Sequence, residues 1–214
     1  MKFKAKEAYM SKEIVKKYEK TLFSIKGRIT DFLEKKLIEQ ALRLTGLPLS
    51  ACILDLPCGT GRISIFLAKK GYKVVGGDIS KEMVRKSVVN AAKRNVSSKT
   101  EFRIVDAQKI DFPDAIFDVV VSLRFFGYTP PSIRKQILSE MRRVTKKYVF
   151  ICYYHKGAFK EILMRRKRET EEIPWYPVEV HEAENEFAEV GLKKLKHFYL
   201  IRGVSETLLL VGEK

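Results

Sequence analysis

The order of apolar and polar positions along this chain predicts alternating helices and strands. Short apolar runs are typical of strands buried in a parallel sheet, and the stretches between them repeat apolar residues at the three- and four-residue spacing of amphipathic helices. The alternation predicts a parallel sheet with helices on both faces. The expected helices are 11–22, 28–44, 61–70, 80–94 and 131–145, and the expected strands are 51–56, 73–78, 101–106, 116–122 and 147–154.

The C-terminal part follows a different pattern. Residues 158–168 read as a basic amphipathic helix, and residues 180–190 repeat apolar positions at helical spacing. Strands are expected over 194–202 and 204–212, joined at Gly203. Two strands with so short a connection must be antiparallel, because a parallel return needs a crossover of a dozen or more residues. The chain is therefore predicted to end in an antiparallel hairpin.

The helix expected over 28–44 has an apolar stripe that would face the core. Gly46 and Pro48 are expected to end this helix. Ser80 is expected to cap the helix that follows it, with Met83 as the first inward apolar residue. The stripe consists of Ile29, Phe32, Leu33, Leu37, Ala41 and Leu44.

The candidate chemistry lies in residues 53–61, which read ILDLPCGTG. A glycine-containing turn between a strand and a helix lets the backbone approach a ligand closely, and Asp78 ends the next apolar run, where a carboxylate can accept hydrogen bonds from a ribose diol. The spacing Gly59-x-Gly61 suits nicotinamide or flavin dinucleotides as well as S-adenosylmethionine. Ser64 stands where a dinucleotide site prefers a third glycine. Asp55 suits a cationic ligand and would repel a pyrophosphate.

Four segments, in order and at ordinary spacing, make the chain resemble the class I S-adenosylmethionine-dependent methyltransferases. The resemblance covers about residues 50–155 and implies a Rossmann-like, doubly wound, mostly parallel seven-stranded sheet with an antiparallel C-terminal hairpin strand and N-terminal cap helices. The four segments are 55–61 (DLPCGTG), 74–80 (VVGGDIS), 104–108 (IVDAQ) and 117–122 (FDVVVS).

The resemblance also implies roles for residues at the strand ends. Asp55 and the turn would face the methionine part of S-adenosylmethionine, Asp78 would hold the ribose hydroxyls, Asp106 would accept from the adenine amino group, and Arg124 with its neighbours would line the side of the methyl group. S-adenosylhomocysteine would be the product. The expected cofactor-binding set is Tyr18, Arg28, Asp55, Pro57, Cys58, Gly59, Thr60, Gly61, Asp78, Ile79, Met83, Asp106, Ala107, Gln108, Ser122, Leu123 and Arg124.

The N-terminal helices are expected to form a cap over this site. Residues 17–33 resemble the cap segment of small-molecule members of the family. Tyr18 would close over the cofactor, and Arg28 would reach its carboxylate as a bidentate donor. The alternative is an amphipathic helix with ordinary exposed polar residues. The expected division is a helical cap over 1–48 and a methyltransferase domain over 49–214, together one compact unit.

Methyl transfer from a sulfonium needs alignment and exclusion of water more than it needs a catalytic dyad. The sequence shows no such dyad. His155, which follows the fifth strand, is the best candidate base among the three histidines, although a lone histidine is more often structural. The expected set of metal ligands is empty, because no cluster of His, Cys, Asp and Glu has metal-ligand spacing.

The net charge of +16, from 42 Lys and Arg against 26 Asp and Glu, allows two interpretations. One is an electrostatic footprint for nucleic acid or an anionic membrane surface, and the other is a solubilising surface. There is no run of 18 apolar residues, so no membrane span is expected. The stretch MKFKAKEAYMSKE lacks the apolar region of a signal peptide, and the three cysteines form no CxxC pair. We therefore expect a cytoplasmic protein.

The loop over 122–128 (SLRFFGY) bears on the acceptor. It lacks the Asn/Asp-Pro-Pro-aromatic sequence of many enzymes that methylate amino groups of bases or of glutamine, and its aromatic residues suit a small or apolar acceptor. The expected function is transfer of a methyl group to a small molecule, with a lipid-like or isoprenoid-like compound as one candidate acceptor. RNA methylation, a non-catalytic cofactor-binding module and, as a minor option, a nicotinamide-dependent dehydrogenase stay as alternatives.

Overall fold

A computed structural model of the chain describes residue 15, residues 20–169 and residues 173–214. Within these residues the chain forms one seven-stranded sheet with helices on both faces. None of the described helices combines the length and the hydropathy that crossing a bilayer would require. The strands are β1 (Cys52–Asp55), β2 (Lys73–Asp78), β3 (Thr100–Ile104), β4 (Phe117–Ser122), β5 (Thr145–Tyr154), β6 (Lys193–Tyr199) and β7 (Thr207–Glu213).

The helices occupy the positions that the periodicity predicts, within a few residues at each end. The helix expected over 11–22 falls largely outside the described residues. Ser97–Lys99 and Phe126–Tyr128 form short 3₁₀ turns. The helices are α1 (Ile25–Thr45), α2 (Arg62–Lys69), α3 (Lys81–Lys93), α4 (Pro131–Val144), α5 (Phe159–Glu169) and α6 (Val180–Glu189).

Local sequence signals explain several helix ends. The Ser24 hydroxyl accepts a hydrogen bond from the Gly27 N–H at the start of α1, and the Ser80 hydroxyl accepts one from the Met83 N–H at the start of α3. Side chains of this kind satisfy N–H groups that have no partner within the helix. Gly46 ends α1 in the left-handed conformation, with φ 60°, which glycine adopts without steric cost.

The strand order is β3-β2-β1-β4-β5-β7-β6. From β1 the chain builds outward through β2 and β3, then returns to place β4 on the other side of β1, so the order reverses between β1 and β4. Strand β7 runs antiparallel between β5 and β6. The predicted α/β fold with its C-terminal hairpin is confirmed, but the hairpin connection spans 200–206 and is longer than the turn expected at Gly203.

Two apolar clusters, one on each face, bury the central strands. In β1, Ile53 packs into the cluster that contains α1 and α2, whereas Leu54 packs into the cluster that contains α4 and α6. Cys152 of β5 is a fully buried core residue with a free thiol, and burial raises its pKa to about 12. A sheet buried on both faces explains why its strands read as continuous apolar runs.

The apolar stripe expected on α1 is partly wrong. Ile29 and Phe32 are more than half exposed, and Leu44 is also exposed. The predicted stripe contains only apolar residues, so it leaves out Glu34, a charged residue that lies on the buried face. The observed buried face is therefore rotated about the helix axis relative to the predicted stripe. The residues of α1 that are buried are Gly27, Glu34, Leu37, Ile38, Ala41 and Leu42.

Candidate functional site

Strands β1, β2 and β4 end beside one another at the carboxyl edge of the sheet. Asp55 is the last residue of β1 and pairs with Gly76 on one side and Val121 on the other. Asp78 ends β2, and Ser122 ends β4. In open α/β sheets this edge, at the point where strand order reverses, is where ligands bind. The fold therefore brings the main predicted site residues to one place.

The turn between β1 and α2 is held by backbone hydrogen bonds. The Leu56 N–H donates to the Val121 carbonyl at 2.9 Å, and the Cys58 N–H donates to the Gly77 carbonyl at 2.7 Å. Gly61 has φ 82°, and a Cβ added there would lie 2.9 Å from the Ser87 Cβ. The conformation and the lack of space both require glycine at this position.

The Asp78 carboxylate joins the turn to β2. One oxygen accepts a hydrogen bond from the Gly59 N–H and the other accepts one from the Ser80 N–H, both at 2.9 Å. Burial raises the pKa of Asp78 to about 6 in spite of these two bonds. A carboxylate oxygen has more than one acceptor direction, so hydroxyl groups of a ligand can still be accepted beside these N–H groups.

Asp55 is the more deeply buried of the two acids. The Ser64 hydroxyl donates to its Oδ2 at 2.6 Å. Burial raises its pKa to about 7, while the Ser64 hydrogen bond and the Arg62 charge act in the opposite direction. Ser64, which replaces a third glycine in the motif, therefore serves as a hydrogen-bond donor to the site.

Both raised pKa values make stability depend on pH. Between the ordinary aspartate value of 3.8 and about 7 the folded protein holds protons that the unfolded chain has lost. Its free energy of unfolding therefore falls as pH rises through this window. A positive charge near the two carboxylates would lower their pKa values, because it favours their ionised form. It would therefore reduce this loss of stability. The electrostatics of the site consequently favour a cationic ligand.

Helix α1 is attached to the site by a network of ion pairs. Glu34, which is 1% exposed, lies 2.8 Å from Arg62 and 2.7 Å from the Nε of Arg124. Arg62 also pairs with Asp31 at 2.6 Å, and Asp31 in turn pairs with Lys35. Burial raises the pKa of Asp31, but hydrogen bonds from Lys35 and Arg62 outweigh it and lower the pKa.

Sequence reasoning missed the roles of Asp31, Glu34 and Arg62. A signal was present, because Glu34 precedes Leu37, Ile38 and Ala41 at helical spacing and is therefore a charge on a buried face. Arg62 directly follows Gly61, and Arg124 follows β4 by two residues. The network thus connects α1 to both loops that border the candidate site.

The β3 side of the site is formed by residues 105–108. The Val105 N–H donates to the Asp78 carbonyl at 3.0 Å, and the Asp106 carboxylate accepts from the Gln108 N–H at 3.0 Å. Ala107 is buried. Ile79 is partly exposed and Met83 is buried in the first turn of α3. These residues follow the ends of β2 and β3, and Asp78 links this side to the glycine turn through the Gly59 N–H.

Three further members of the expected set belong to the turn. Pro57 is partly exposed, whereas Cys58 and Thr60 are buried. Burial raises the pKa of the Cys58 thiol well above its ordinary value, and the charges of Asp55 and Asp78 add to this. The Thr60 carbonyl accepts a hydrogen bond from the Asn90 side chain at 3.0 Å. The turn is thus held to α3 as well as to β2.

The β4 side carries a polar atom and a group of aromatic rings. Ser122 is fully buried, and its hydroxyl has no hydrogen-bond partner among the described residues. Leu123 is buried, and Arg124 is turned toward Glu34 of α1. Tyr154 lies 5.5 Å from Tyr128 and 6.3 Å from Trp175, measured between ring centroids. We call Tyr128, Tyr154 and Trp175 the aromatic cluster.

Gly127 allows the aromatic cluster to pack. A Cβ added to Gly127 would lie 2.1 Å from a ring carbon of Tyr154. The Tyr176 N–H donates to the Gly127 carbonyl at 2.7 Å, which ties the segment after α5 to the loop after β4. Two loops that are distant in sequence therefore meet at the carboxyl ends of β4 and β5.

Arg134 of α4 fixes both loops. Its side chain, 1% exposed, donates to the carbonyls of Thr129, Phe126 and Tyr176 at 2.9, 3.0 and 2.7 Å. It also donates to Glu186 at 3.0 Å, and the other oxygen of Glu186 accepts from the Tyr153 hydroxyl. Arg134 was not expected from the sequence, where it reads as one of many surface cations.

Three expected residues remain. Tyr18 falls outside the described residues. Arg28 is exposed in the first turn of α1. His155 packs against Tyr199, with ring centroids 5.5 Å apart, and its Nδ1 lies 3.4 Å from the Val178 carbonyl. It is therefore on the hairpin side of β5. Within the described residues, no three of the His, Cys, Asp and Glu side chains are arranged to hold a metal ion.

Comparisons with known proteins agree with this geometry. Residues 53–148 match a family model described as a methyltransferase domain. A phosphatidylethanolamine N-methyltransferase of Cereibacter sphaeroides is 33% identical over 122 residues, which are 56% of this chain and 59% of that protein. A probable chloroplastic tocopherol O-methyltransferase of rice (Oryza sativa subsp. japonica) is 28% identical over 131 residues, which are 57% of this chain and 36% of that protein. This chain thus matches less than two thirds of the length of either relative.

Solved structures extend the similarity over the whole fold. The crystal structure of magnesium protoporphyrin IX methyltransferase from Synechocystis with bound SAH superposes with a TM-score of 0.81 and covers 97% of each chain. The sequence identity is 15%, so this likeness concerns the fold.

Proposed function

We propose that residues 53–148, which match the model of a methyltransferase domain, form a class I S-adenosylmethionine-dependent methyltransferase domain, and that the protein transfers a methyl group from S-adenosylmethionine to a small-molecule acceptor. One observation carries the proposal. Two buried carboxylates with raised pKa values, Asp55 and Asp78, flank a glycine turn at the switch point of the sheet. This arrangement suits a ligand with a ribose and a positive charge.

In the proposed complex Asp78 accepts hydrogen bonds from the ribose hydroxyls, and Ile79 and Ala107 border the adenine. Asp106 accepts from the adenine amino group. Asp55 attracts the ammonium group, and the N-terminus of α2 faces the carboxylate of the methionine part. Gly61 is the N-cap of α2 and has no side chain to occupy that end, where the helix dipole favours a negative charge.

The cofactor supplies an activated methyl group, and the residues of the chain position and enclose it. An in-line displacement needs the acceptor atom held opposite the sulfur in a site that excludes water. Helix α1, fixed through Glu34 to Arg62 and Arg124, covers the cofactor side as the proposed cap. Ser122 and Leu123 border the methyl side. His155, on the hairpin side of β5, is not needed for this step.

The aromatic cluster supports a small and largely apolar acceptor. Aromatic walls with a few polar groups are typical of small-molecule pockets. The named activities of the two curated relatives and of the superposed structure, on phosphatidylethanolamine, tocopherol and magnesium protoporphyrin IX, agree with an acceptor of this kind. RNA is the second candidate, favoured by the net charge of +16.

Isothermal calorimetry with S-adenosylhomocysteine tests the cofactor assignment. We expect one site per chain with a dissociation constant in the micromolar range, and no heat with NADH. Absence of S-adenosylhomocysteine binding would refute the proposal.

Transfer of a labelled methyl group tests the acceptor. Labelling of a lipid extract, but not of total RNA, would support the small-molecule acceptor, whereas labelling of RNA alone would replace it by the RNA acceptor.

The pH dependence of binding tests the role of Asp55. Because its pKa is about 7 in the free protein, a nearby ammonium group should displace its proton. Affinity for S-adenosylhomocysteine should therefore rise by up to about tenfold per pH unit between pH 5.5 and 7 and then level off.

The nucleoside 5′-methylthioadenosine is the matched ligand, because it lacks the amino acid part. We expect its affinity to rise less steeply with pH, and we expect the Asp55→Asn variant to abolish the difference between the two ligands. Parallel pH profiles for both ligands on the native protein would contradict a contact between Asp55 and the amino acid part.

A further inference from the structure

Helix α5 and the connection between β6 and β7 form one continuous surface. The Phe159 N–H donates to the Gly203 carbonyl and the Lys160 N–H donates to the Val204 carbonyl, both at 3.0 Å. Strand β5 ends at the carboxyl edge, and the connection over 200–206 lies at the same edge because Thr207 pairs with Tyr154. We call α5 with residues 200–206 the edge surface.

The edge surface exposes five large apolar side chains, between 46% and 68% of each. Phe159, Ile162 and Leu163 follow the three- and four-residue spacing of one helical stripe, so they share a face of α5. Ile201 and Val204 lie on the connection that is hydrogen-bonded to the start of this helix. Adjacent exposed apolar residues of this number are unusual on a surface that has no partner.

Two acidic residues near this surface, Glu161 and Glu206, are turned inward. Glu161 is 1% exposed and accepts a hydrogen bond from the Gly157 N–H at 2.9 Å. Glu206 is also buried and accepts from Lys160 at 2.7 Å. The Lys160–Glu206 pair holds α5 to the hairpin, and neither Glu161 nor Glu206 contributes negative charge to the exposed side.

The sequence of the same helix is strongly basic. Residues 165–168 read Arg-Arg-Lys-Arg and are followed by Glu169, and Arg202 is exposed on the connection. An amphipathic helix with an apolar stripe and several basic residues is the pattern that binds at the interface of an anionic bilayer. The electrostatic part of such binding comes from basic residues close to anionic headgroups.

We propose that the edge surface docks on an anionic lipid bilayer. The aliphatic side chains Ile162, Leu163, Ile201 and Val204 favour a bilayer over RNA, because single-stranded nucleic acid is bound by aromatic rings on which bases stack. The density of like charge disfavours contact with a second copy of this surface.

Docking would also bring the bilayer close to the candidate site. The surface lies at the carboxyl edge, as the candidate site does, so an acceptor dissolved in the bilayer would be close to the aromatic cluster. This last point rests on the proposed function, whereas docking does not.

Vesicle flotation with the full chain tests the proposal. The probes are vesicles of phosphatidylcholine alone and vesicles with about one third phosphatidylglycerol, at low and at high salt. We expect binding to the anionic vesicles only, weakened at high salt. The double variant Ile162→Ser/Leu163→Ser should reduce the partition coefficient at least about tenfold. The matched control is Val88→Ser/Val89→Ser, which changes two exposed apolar residues of α3 and should bind as the native chain does.

Binding of S-adenosylhomocysteine by each variant separates this proposal from the proposed function, because cofactor binding should be unchanged in both double variants. Equal binding to neutral and anionic vesicles, or unchanged binding by Ile162→Ser/Leu163→Ser, would overturn the proposal. Failure of the native chain to float would overturn it too. If the Ile162→Ser/Leu163→Ser change instead abolished RNA binding or a dimer seen by sedimentation, the surface would belong to that partner.

Discussion

Replacing Asp78 with alanine should lower the affinity for S-adenosylhomocysteine about 100-fold or more. In the proposed complex the carboxylate makes two charge-assisted hydrogen bonds to the ribose, each worth about 1.5–3 kcal/mol. It also accepts a hydrogen bond from the Gly59 N–H of the turn, so the turn loses one of its hydrogen bonds to β2 in the same variant. A loss of about 2.7 kcal/mol corresponds to this change in the dissociation constant, which calorimetry measures directly.

Asp118→Ala is the matched control for this experiment. Asp118 also accepts a backbone hydrogen bond, from the Cys52 N–H at 2.7 Å, but it lies near the start of β4 at the opposite edge of the sheet. We expect cofactor affinity to change less than about threefold in this variant. An Asp78→Ala protein that is folded by circular dichroism and binds as tightly as the Asp118→Ala protein would remove Asp78 from the site.

Replacing Arg134 with methionine should cost about 3–5 kcal/mol of the free energy of unfolding. The guanidinium donates to three carbonyls and to Glu186 from a position that is 1% exposed. Methionine fills much of the space but offers no donor, so these acceptors are left without this partner. Lysine keeps the charge but not the planar fork, and Arg134→Lys should fall between methionine and the native protein.

Denaturant unfolding measures the effect, with Arg142→Met as the control on the same helix. Arg142 donates one hydrogen bond, to the Gly191 carbonyl at 3.3 Å, and its loss should cost less than about 1 kcal/mol. The double variant Arg134→Met/Glu186→Gln should recover part of the stability, because it also removes the negative charge that has lost its cationic partner. Equal costs for Arg134→Met and Arg142→Met would show that the loops do not depend on Arg134.

The order and type of the elements could be predicted from the sequence because they depend on neighbouring residues. Strands buried on both faces are continuous apolar runs, and Ser80 and Gly46 mark helix ends through hydrogen bonds and dihedral angles of their own segment. The antiparallel hairpin followed from the short distance between two strand-like runs. Its connection was placed too narrowly, at Gly203, because both runs continue into apolar residues, Leu200, Ile201 and Val204, that lie outside the observed strands.

The glycine turn and Asp78 were also visible in the sequence, because a ligand site of this kind is built from the ends of successive strands. The topology of the sheet then brings those ends together. The sequence did not show how the site is supported. Glu34 and Arg124 are 90 positions apart, and Arg134 and Glu186 are 52 positions apart. Nothing in the local pattern of either partner indicates which charge it will meet.

The amino-acid sequence by itself determined the α/β fold class, the position of the turn and the two acids beside it, since each depends on the pattern within a few residues. Only the tertiary structure decided which charges are buried and paired, how far burial raises the pKa values of Asp55 and Asp78, and which face of α5 is left exposed. These properties depend on the loss of water around a group and on the partners that replace it, and both are set by segments that meet only when the chain has folded.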